Sequence, residues 1–237
     1  VTTDKVKGSL REEVNEMGYP SFNIPDDVGG RYSIMTAAHL FPLSFNIELE
    51  DFLNGYYSGE DLREDAFKYA ATRVALYNSG KVVENYVTYE ENMYYFTEWL
   101  KQLYGESEGK EGVGIFPVST VHTRDLHSLG QFIQEGNKII FETFMKVENS
   151  DEVIYNGKNL HEVNNIVLDS VRSAHKLGEV PSLEISLERV DEATIGQLMY
   201  FYMLGAAFSG FLFNIDPFNQ PGVEVYKKEV RENLGVL

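Results

Sequence analysis

The segment GFLFNI at residues 210–215 and the segment FNQPGVEVYK at residues 218–227 indicate the fold class. The first is a short apolar run, which predicts a buried strand, and the second predicts a loop that leads into a helix. Strand, loop and helix in this order form a unit of an open α/β sheet, in which ligands bind beyond the carboxyl ends of the strands. Lys227 lies in the opening turns of this helix, where the helix dipole disfavours a cation. It is therefore a candidate functional residue, and the alternative is a solvated helix face shared with Lys228.

Helical and strand-like segments alternate along the rest of the chain, which predicts an α/β fold with a parallel sheet flanked by helices. Residues 30–44, 48–78, 90–104, 128–135, 160–177 and 195–208 favour helices. Residues 82–87, 114–118, 138–147, 181–187 and 210–215 favour strands. The helix stop at residues 77–80 suggests a domain boundary near Gly80.

Composition and charge exclude several classes of function. The chain has 237 residues, with 37 acidic and 20 basic side chains and a net charge of −17. A nucleic acid or an anionic membrane would be repelled over most of this surface, so neither is an expected partner. An anionic substrate would have to be attracted by local cations, of which Arg31, Lys110 and Lys227 are candidates. No cysteine is present, which excludes a disulfide framework, a thiolate metal site and a cysteine nucleophile.

The 18 residues from Leu198 to Ile215 carry no charge and approach the length of a membrane-spanning helix. Gly205, Gly210 and Asn214 interrupt the run, and both flanks are acidic. We interpret it as a buried helix that turns through Ser209 and Gly210 into a strand. The polar residues at 1–5 do not predict a signal peptide, and a cytoplasmic protein is expected.

Two further segments change the interpretation of Lys227. Residues 26–33, DDVGGRYS, place Arg31 after a glycine pair, and residues 102–110, QLYGESEGK, end a helix in an acidic loop. Together with QPGVEVYK at 220–227, they resemble the glucose-6-phosphate isomerase (phosphoglucose isomerase) family of bacterial type. The resemblance continues through GIFP at 114–117, DLHSLGQ at 125–131 and QEG at 134–136. It covers nearly the whole chain and corresponds to the C-terminal half of such an enzyme.

The resemblance implies two sugar isomerase (SIS) domains of flavodoxin-like style. Residues 1–80 would be the remainder of the first domain, and residues 81–237 would be the second SIS domain with a C-terminal helix. The Ser/Thr-rich loop with which the family grips the substrate's phosphate has no counterpart in this sequence. The family further implies a homodimer, a missing N-terminal half as a partner, and a sugar-phosphate substrate.

The reaction implied is the interconversion of glucose 6-phosphate and fructose 6-phosphate in glycolysis and gluconeogenesis. A base must move a proton between neighbouring carbons, a cation must stabilise the enediolate oxygen, and acid–base groups must open the sugar ring. Carboxylate, arginine, histidine and lysine side chains suffice, so neither a cofactor nor a metal is expected.

The family motifs assign Glu106 as the base, with Gln102 one helical turn before it. Glu108 is the rival base, and the alternative for the pair is a solvated acidic loop. Arg31 would stabilise the enediolate, while Gly30 would allow a ligand to approach the backbone. The alternative for Arg31 is an ion pair with Asp26 or Asp27.

His127 is the histidine that the family motif selects, and the resemblance implies that it reaches into the neighbouring subunit's site. His127 and Lys227 would open the sugar ring, while Gln102 and Gln220 would bind sugar or phosphate oxygens. The other four histidines are expected to be structural; they are His39, His122, His161 and His175. The alternative function is a non-catalytic sugar-phosphate-binding SIS module.

Overall fold

The structure is a computed structural model that describes residues 4–235. Its α-helices are α1 (Ser9–Met17), α2 (Ala37–Leu43), α3 (Leu49–Ser58), α4 (Arg63–Asn78), α5 (Tyr94–Glu108), α6 (Leu126–Glu135), α7 (Leu160–Leu177), α8 (Glu192–Leu212) and α9 (Pro221–Leu234). Its strands are β1 (Val83–Thr88), β2 (Phe116–Val121), β3 (Ile140–Val147), β4 (Ile154–Tyr155), β5 (Lys158–Asn159) and β6 (Ser182–Leu187). Short 3₁₀ helices cover Gly30–Met35, Gly59–Leu62 and Glu91–Met93.

Four strands form a parallel sheet in the order β2-β1-β3-β6. Val83 in β1 is in register with Phe116 on one side and with Ile140 on the other. Helices connect consecutive strands, as parallel pairing requires. The predicted α/β class with a parallel sheet flanked by helices is confirmed. The predicted division at residue 80 stays a prediction, and the outer ends of the two domains, residues 1–3 and 236–237, lie outside the described residues.

The main core lies between the sheet and helices α4, α5 and α8. β1 and β3 are buried along almost their whole length, as expected for central strands covered on both faces. Tyr86 from β1, Leu100 and Tyr104 from α5, and Tyr202 from α8 are fully buried in this core. The position of α5 is therefore fixed by burial of its apolar side chains.

The predicted strand at residues 210–215 is wrong, and so is the predicted turn at Ser209 and Gly210. α8 continues from Glu192 to Leu212, and the side chain of Asp191 caps its start by accepting from Thr194 N at 2.9 Å. A short apolar run that follows a buried helix can extend that helix, and periodicity alone does not separate the two outcomes. In length and composition α8 could cross a membrane, but 44% of its most apolar window is buried inside the protein.

Helices α3 and α4 pack on α8. A Cβ at Gly55 of α3 would lie 2.0 Å from the carbonyl oxygen of Ala193, and one at Gly196 of α8 would lie 2.2 Å from that of Phe52. Both positions therefore require glycine, because the two backbones touch. Within this region the predicted helix at 30–44 divides into a 3₁₀ turn and α2. The 3₁₀ helix packs against α5, and α2 packs against the 3₁₀ helix.

Candidate active site

Arg31 is the centre of the predicted site, and it is 2% exposed. Its Nε donates to Ser107 Oγ at 2.9 Å, and one Nη donates to the carbonyl oxygens of Pro217 and Asn219 at 2.7 and 3.0 Å. The other Nη lies 3.4 Å from Glu106 Oε2 and 3.2 Å from Gln220 Oε1. These partners come from α5 and from the loop between α8 and α9. Neither Asp26 nor Asp27 is among the described partners of Arg31, so the alternative ion pair is not observed.

Glu106 and Glu108 lie in different environments. The Glu106 side chain is 30% exposed and pairs with Arg31. Glu108 is fully buried, and its carboxylate is bound by the guanidinium of Arg73. Glu108 Oε2 also accepts from the backbone N of Ile115 at 3.4 Å. Of the two glutamates, only Glu106 is both accessible to a ligand and next to Arg31.

A buried ionic network binds the end of α5 to the protein core. Arg73 of α4 is fully buried and donates through Nε to Glu84 Oε2 at 2.6 Å, in addition to binding Glu108. Glu84 is also bound by the hydroxyls of Tyr69 and Thr143 at 2.5 and 2.6 Å. Its partners satisfy the carboxylate of Glu84, as a buried charge requires. The network joins α4, β1, β3 and α5, and so fixes the helical turn that carries Glu106.

The site lies at the amino edge of the sheet, and the predicted position at a carboxyl edge is wrong. α5 starts after the carboxyl end of β1 and runs back, so that Glu108 contacts Ile115 directly before β2. The prediction rested on a strand at residues 210–215, where the structure instead has the end of α8 and a turn. Because no strand leads into the loop before α9, the rule on carboxyl ends does not apply to this loop.

Gln220 and Lys227 are brought to the site to different degrees. Gln220 precedes α9 and contacts Arg31 directly. Lys227 is on the second turn of α9, half-exposed, and its Nζ is 3.1 Å from Glu224 Oε1. No described contact joins Lys227 to Arg31 or Glu106. Its catalytic assignment stays a prediction.

His127 is exposed on the first turn of α6. α6 follows the carboxyl end of β2, whereas Glu106 lies near the amino end of the same strand. Six residues of strand span roughly 20 Å. One subunit therefore does not bring His127 and Glu106 to the same edge of the sheet.

The other histidines are held by structural contacts. His175 Nδ1 lies 2.7 Å from Glu142 Oε2, and His122 Nε2 lies 3.2 Å from Thr120 Oγ1. Burial, with the nearby His175 as a second cause, lowers the pKa of His122 from 6.5 to about 4. His161 is bonded to the carbonyl of Glu148 at 3.1 Å, and His39 Nδ1 to that of Ser33 at 3.1 Å.

Gln102 and Gly30 are exposed beside the centre of the site. A Cβ built at Gly30 would meet nothing within 4 Å, and Gly30 does not have a positive φ. Neither packing nor backbone strain within the described residues therefore demands glycine at position 30. Gln102 lies one helical turn before Glu106 on α5.

Tyr32 and Ser107 belong to the site but were absent from the sequence prediction. The Tyr32 hydroxyl lies 3.2 Å from Ser107 Oγ, which accepts from Arg31, and burial raises the pKa of Tyr32. Tyr32 is thus protonated at neutral pH. Ser107 lies between Glu106 and Glu108 in the sequence, and this position could have identified it as a site residue. Nothing in the sequence identified the carbonyls of Pro217 and Asn219 as partners of Arg31.

The donor set suits acid–base chemistry. A partly exposed carboxylate adjoins a buried guanidinium whose charge cannot be lost, so a group able to accept a proton lies beside a cation able to stabilise negative charge. Across residues 4–235, no group of three or more His, Asp or Glu side chains is arranged to hold a metal ion.

The matching family profile and two similar sequences all point to the same kind of enzyme. Residues 143–234 match the sequence profile of the family described as phosphoglucose isomerase. The chain is 44% identical over 260 aligned residues to a glucose-6-phosphate isomerase of Clostridium tetani, and 42% identical over 256 to one of Shouchella clausii. Both alignments cover 99% of this chain and 57% of the relative, so the chain spans little more than half the length of these relatives.

Two solved structures share the fold. A hypothetical protein of Thermus thermophilus superposes with a TM-score of 0.89 at 26% identity, covering 96% of this chain and 60% of that one. A glucose-6-phosphate isomerase of Chlamydia trachomatis gives a TM-score of 0.78 at 21% identity, covering 90% and 48%. The second likeness supports the fold alone.

Proposed function

Since the chain belongs to the phosphoglucose isomerase family and corresponds to the C-terminal part of its relatives, we propose that it contributes the base and the enediolate-stabilising cation of a glucose-6-phosphate isomerase. The complete protein would interconvert glucose 6-phosphate and fructose 6-phosphate, in glycolysis and gluconeogenesis in the cytoplasm. The observation that carries this proposal is the contact of the partly exposed Glu106 carboxylate with the buried guanidinium of Arg31 at 3.4 Å.

Glu106 is the proposed base. Its carboxylate takes the proton from C2 of the open-chain aldose, and the electrons of that C–H bond form the cis-enediolate, with negative charge on the C1 oxygen. The same proton, now on Glu106, is delivered to C1, while the C2 hydroxyl gives its proton to the C1 oxygen, which leaves the C2 carbonyl of the ketose. Glu108 is unsuited to this role because its carboxylate is fully buried against Arg73.

Arg31 is the proposed stabiliser of the enediolate oxygen. Its hydrogen bonds to Ser107 and to two backbone carbonyls fix the guanidinium plane before substrate arrives. A fixed cation is worth more to a developing negative charge than one that must reorient. Gly30 precedes Arg31 in the sequence, is exposed, and has open space where a Cβ would lie, so substrate can approach the backbone there.

Ring opening is assigned to His127 and Lys227, which exchange protons with the ring oxygen and the C1 hydroxyl. We propose that His127 acts in the site of the second subunit of a homodimer. Its exposure and its place at the opposite edge of the sheet from Glu106 support this proposal. Gln102 and Gln220 would bind sugar or phosphate oxygens, and the phosphate grip would come from the N-terminal half that the relatives possess.

The test uses a chimera in which the N-terminal segment of the Clostridium tetani relative is fused to this chain. We expect Glu106→Gln to reduce isomerisation and solvent deuterium incorporation at C2 by roughly 10²- to 10⁴-fold, because the amide cannot accept the proton. Substrate affinity should change by only a few-fold. Glu111→Gln, at an exposed position just beyond α5, is the matched control. Normal deuterium incorporation in Glu106→Gln would contradict the assignment, and binding of substrate without turnover in the unmodified chimera would favour a non-catalytic SIS module.

A further inference from the structure

Two cations hold the loop between α8 and α9 through its backbone. Lys110 Nζ donates to the carbonyl oxygen of Asp216, and Arg31 donates to those of Pro217 and Asn219 at 2.7 and 3.0 Å. Three carbonyls within four residues thus accept from two side chains that are distant from the loop in sequence. Arg31 has an assigned role in the reaction, whereas Lys110 has none.

Lys110 lies two residues beyond the end of α5, the helix that carries the proposed base Glu106. It follows the end of α5 and forms a tight turn with Val113, in which Val113 N donates to the Lys110 carbonyl at 2.9 Å. Glu111 and Gly112 in this turn have φ of 53° and 78°. The turn fixes the backbone of Lys110 next to the last turn of α5. A bond from Lys110 to the loop therefore sets the distance between the loop and the helix that carries Glu106.

α9 depends on this loop for its position. None of the described residues of α9 is buried, so packing contributes little to holding it. The loop itself is anchored by buried Ile215 and Pro217 and by Phe218 N, which donates to Asp216 Oδ1 at 2.8 Å. Gln220 ends this loop directly before α9, and Lys227 lies on α9. Whatever fixes the loop fixes where these two side chains are presented.

The position of Lys110 carries an electrostatic cost. Burial lowers the pKa of Lys110, and the charge of Arg31 lowers it further. Like charges are brought together here, and the Lys110 ammonium is bound by a backbone carbonyl. Such an arrangement concentrates positive charge beside Glu106 in a chain whose net charge is −17.

We propose that Lys110 is a positioning residue that, together with Arg31, fastens the Asp216–Gln220 loop to the end of α5 and thereby places Gln220 and α9 at the active site. The catalytic part of this inference rests on the proposed function. The mechanical part, that Lys110 fastens the loop, is independent of it.

The first experiment measures amide hydrogen exchange on the 237-residue chain. In Lys110→Met we expect the amides of Ile215 and Phe218 to exchange at least about tenfold faster, since opening of the loop no longer breaks a charged hydrogen bond. Lys110→Arg should restore slow exchange. Lys138→Met is the matched control, because Lys138 Nζ also donates to a backbone carbonyl, that of Gln134 at 2.7 Å, at a distant helix. Unchanged exchange in Lys110→Met would overturn the proposal.

The second experiment measures kcat and KM in the chimera described above. We expect Lys110→Met to lower kcat by roughly 10- to 100-fold with KM changed by less than about threefold, and Lys110→Arg to recover most of kcat. Faster exchange with unchanged kinetics would overturn the positioning role, and lost activity with unchanged exchange would assign Lys110 a direct role instead. If the chimera shows no isomerase activity, the proposed function fails, and the exchange experiment still decides whether Lys110 fastens the loop.

Discussion

Glu106 and Glu108 lie two residues apart at the end of α5, and their carboxylates have different partners. Glu106 is bound by Arg31 and is 30% exposed, whereas Glu108 is bound by Arg73 and is fully buried. Two neighbouring acidic residues of the same type thus serve different purposes. One is partly open to solvent beside Arg31, and the other ties the helix end to the core.

Substitutions in the network of Arg73, Glu84 and Glu108 should lower the free energy of unfolding by different amounts. Arg73→Met should lower the free energy of unfolding by roughly 3–5 kcal/mol or more, because Glu84 and Glu108 would then be buried without a cation. Glu108→Gln should cost less, because Glu84 still neutralises Arg73. Urea unfolding of both variants checks the order. Arg63→Met is the control, since Arg63 is 60% exposed and a change within about 0.5 kcal/mol is expected. An equal loss for Arg73→Met and Arg63→Met would contradict this account of the core.

Gly30→Ala should lower isomerase activity without lowering the stability of the fold. A methyl group at Gly30 meets nothing within 4 Å in this chain, so the free energy of unfolding should stay within about 1 kcal/mol of the parent value. Isomerase activity of the chimera should nevertheless fall, because the methyl group occupies space that substrate needs. Thermal unfolding and steady-state kinetics measure the two quantities. Full activity in Gly30→Ala would show that substrate does not approach this backbone.

His122 should make the protein less stable in mild acid. Its folded-state pKa is lowered to about 4 from 6.5, so between these values the unfolded chain binds a proton that the folded chain does not. The contribution of neutral His122 to the free energy of unfolding is fully present above pH 6.5. It is lost as the pH falls toward 4, and the loss amounts to at most about 3 kcal/mol. Urea unfolding at several pH values should show a shallower decline for His122→Gln than for the parent chain. His39→Gln, at an exposed position, should decline like the parent.

Subunit mixing tests the role of His127. Chimeras carrying His127→Ala and Glu106→Gln should each be nearly inactive. If each site takes Glu106 from one subunit and His127 from the other, mixed dimers contain one site with both residues intact. Mixing under conditions of subunit exchange should then restore activity toward a quarter of the parent value. No recovery, with exchange verified by mass, would place both residues in one subunit's site.

The 237-residue chain alone should show little or no turnover of glucose 6-phosphate. It spans 57% of the length of its relatives, and the resemblance implies that the loop that grips the phosphate has no counterpart in its sequence. Loss of several charge-assisted hydrogen bonds, each worth roughly 1.5–3 kcal/mol, weakens binding by orders of magnitude. Activity should appear when a separately produced N-terminal segment is added. Robust turnover by the chain alone would contradict this prediction.

The sequence by itself determined the class of fold and the family. Alternating helical and strand-like segments predicted the parallel sheet, since each segment carries its own periodicity. The prediction failed at residues 210–215, where α8 continues to Leu212 and a turn follows, so that no strand forms. α8 is buried among α3, α4 and α5, and a helix covered on most sides has no polar face that would mark its length.

The tertiary structure alone decided which neighbouring residues share an environment. Sequence motifs selected Arg31, Glu106 and Gln220, but their meeting depends on contacts between segments 75 and 189 residues apart. It also gave Glu106 and Glu108 different environments, because the direction of a side chain on the last turn of a helix depends on which partners surround it. The fastening of the Asp216–Gln220 loop by Lys110 and Arg31 uses backbone carbonyls, which every residue possesses, so no sequence pattern could have identified them.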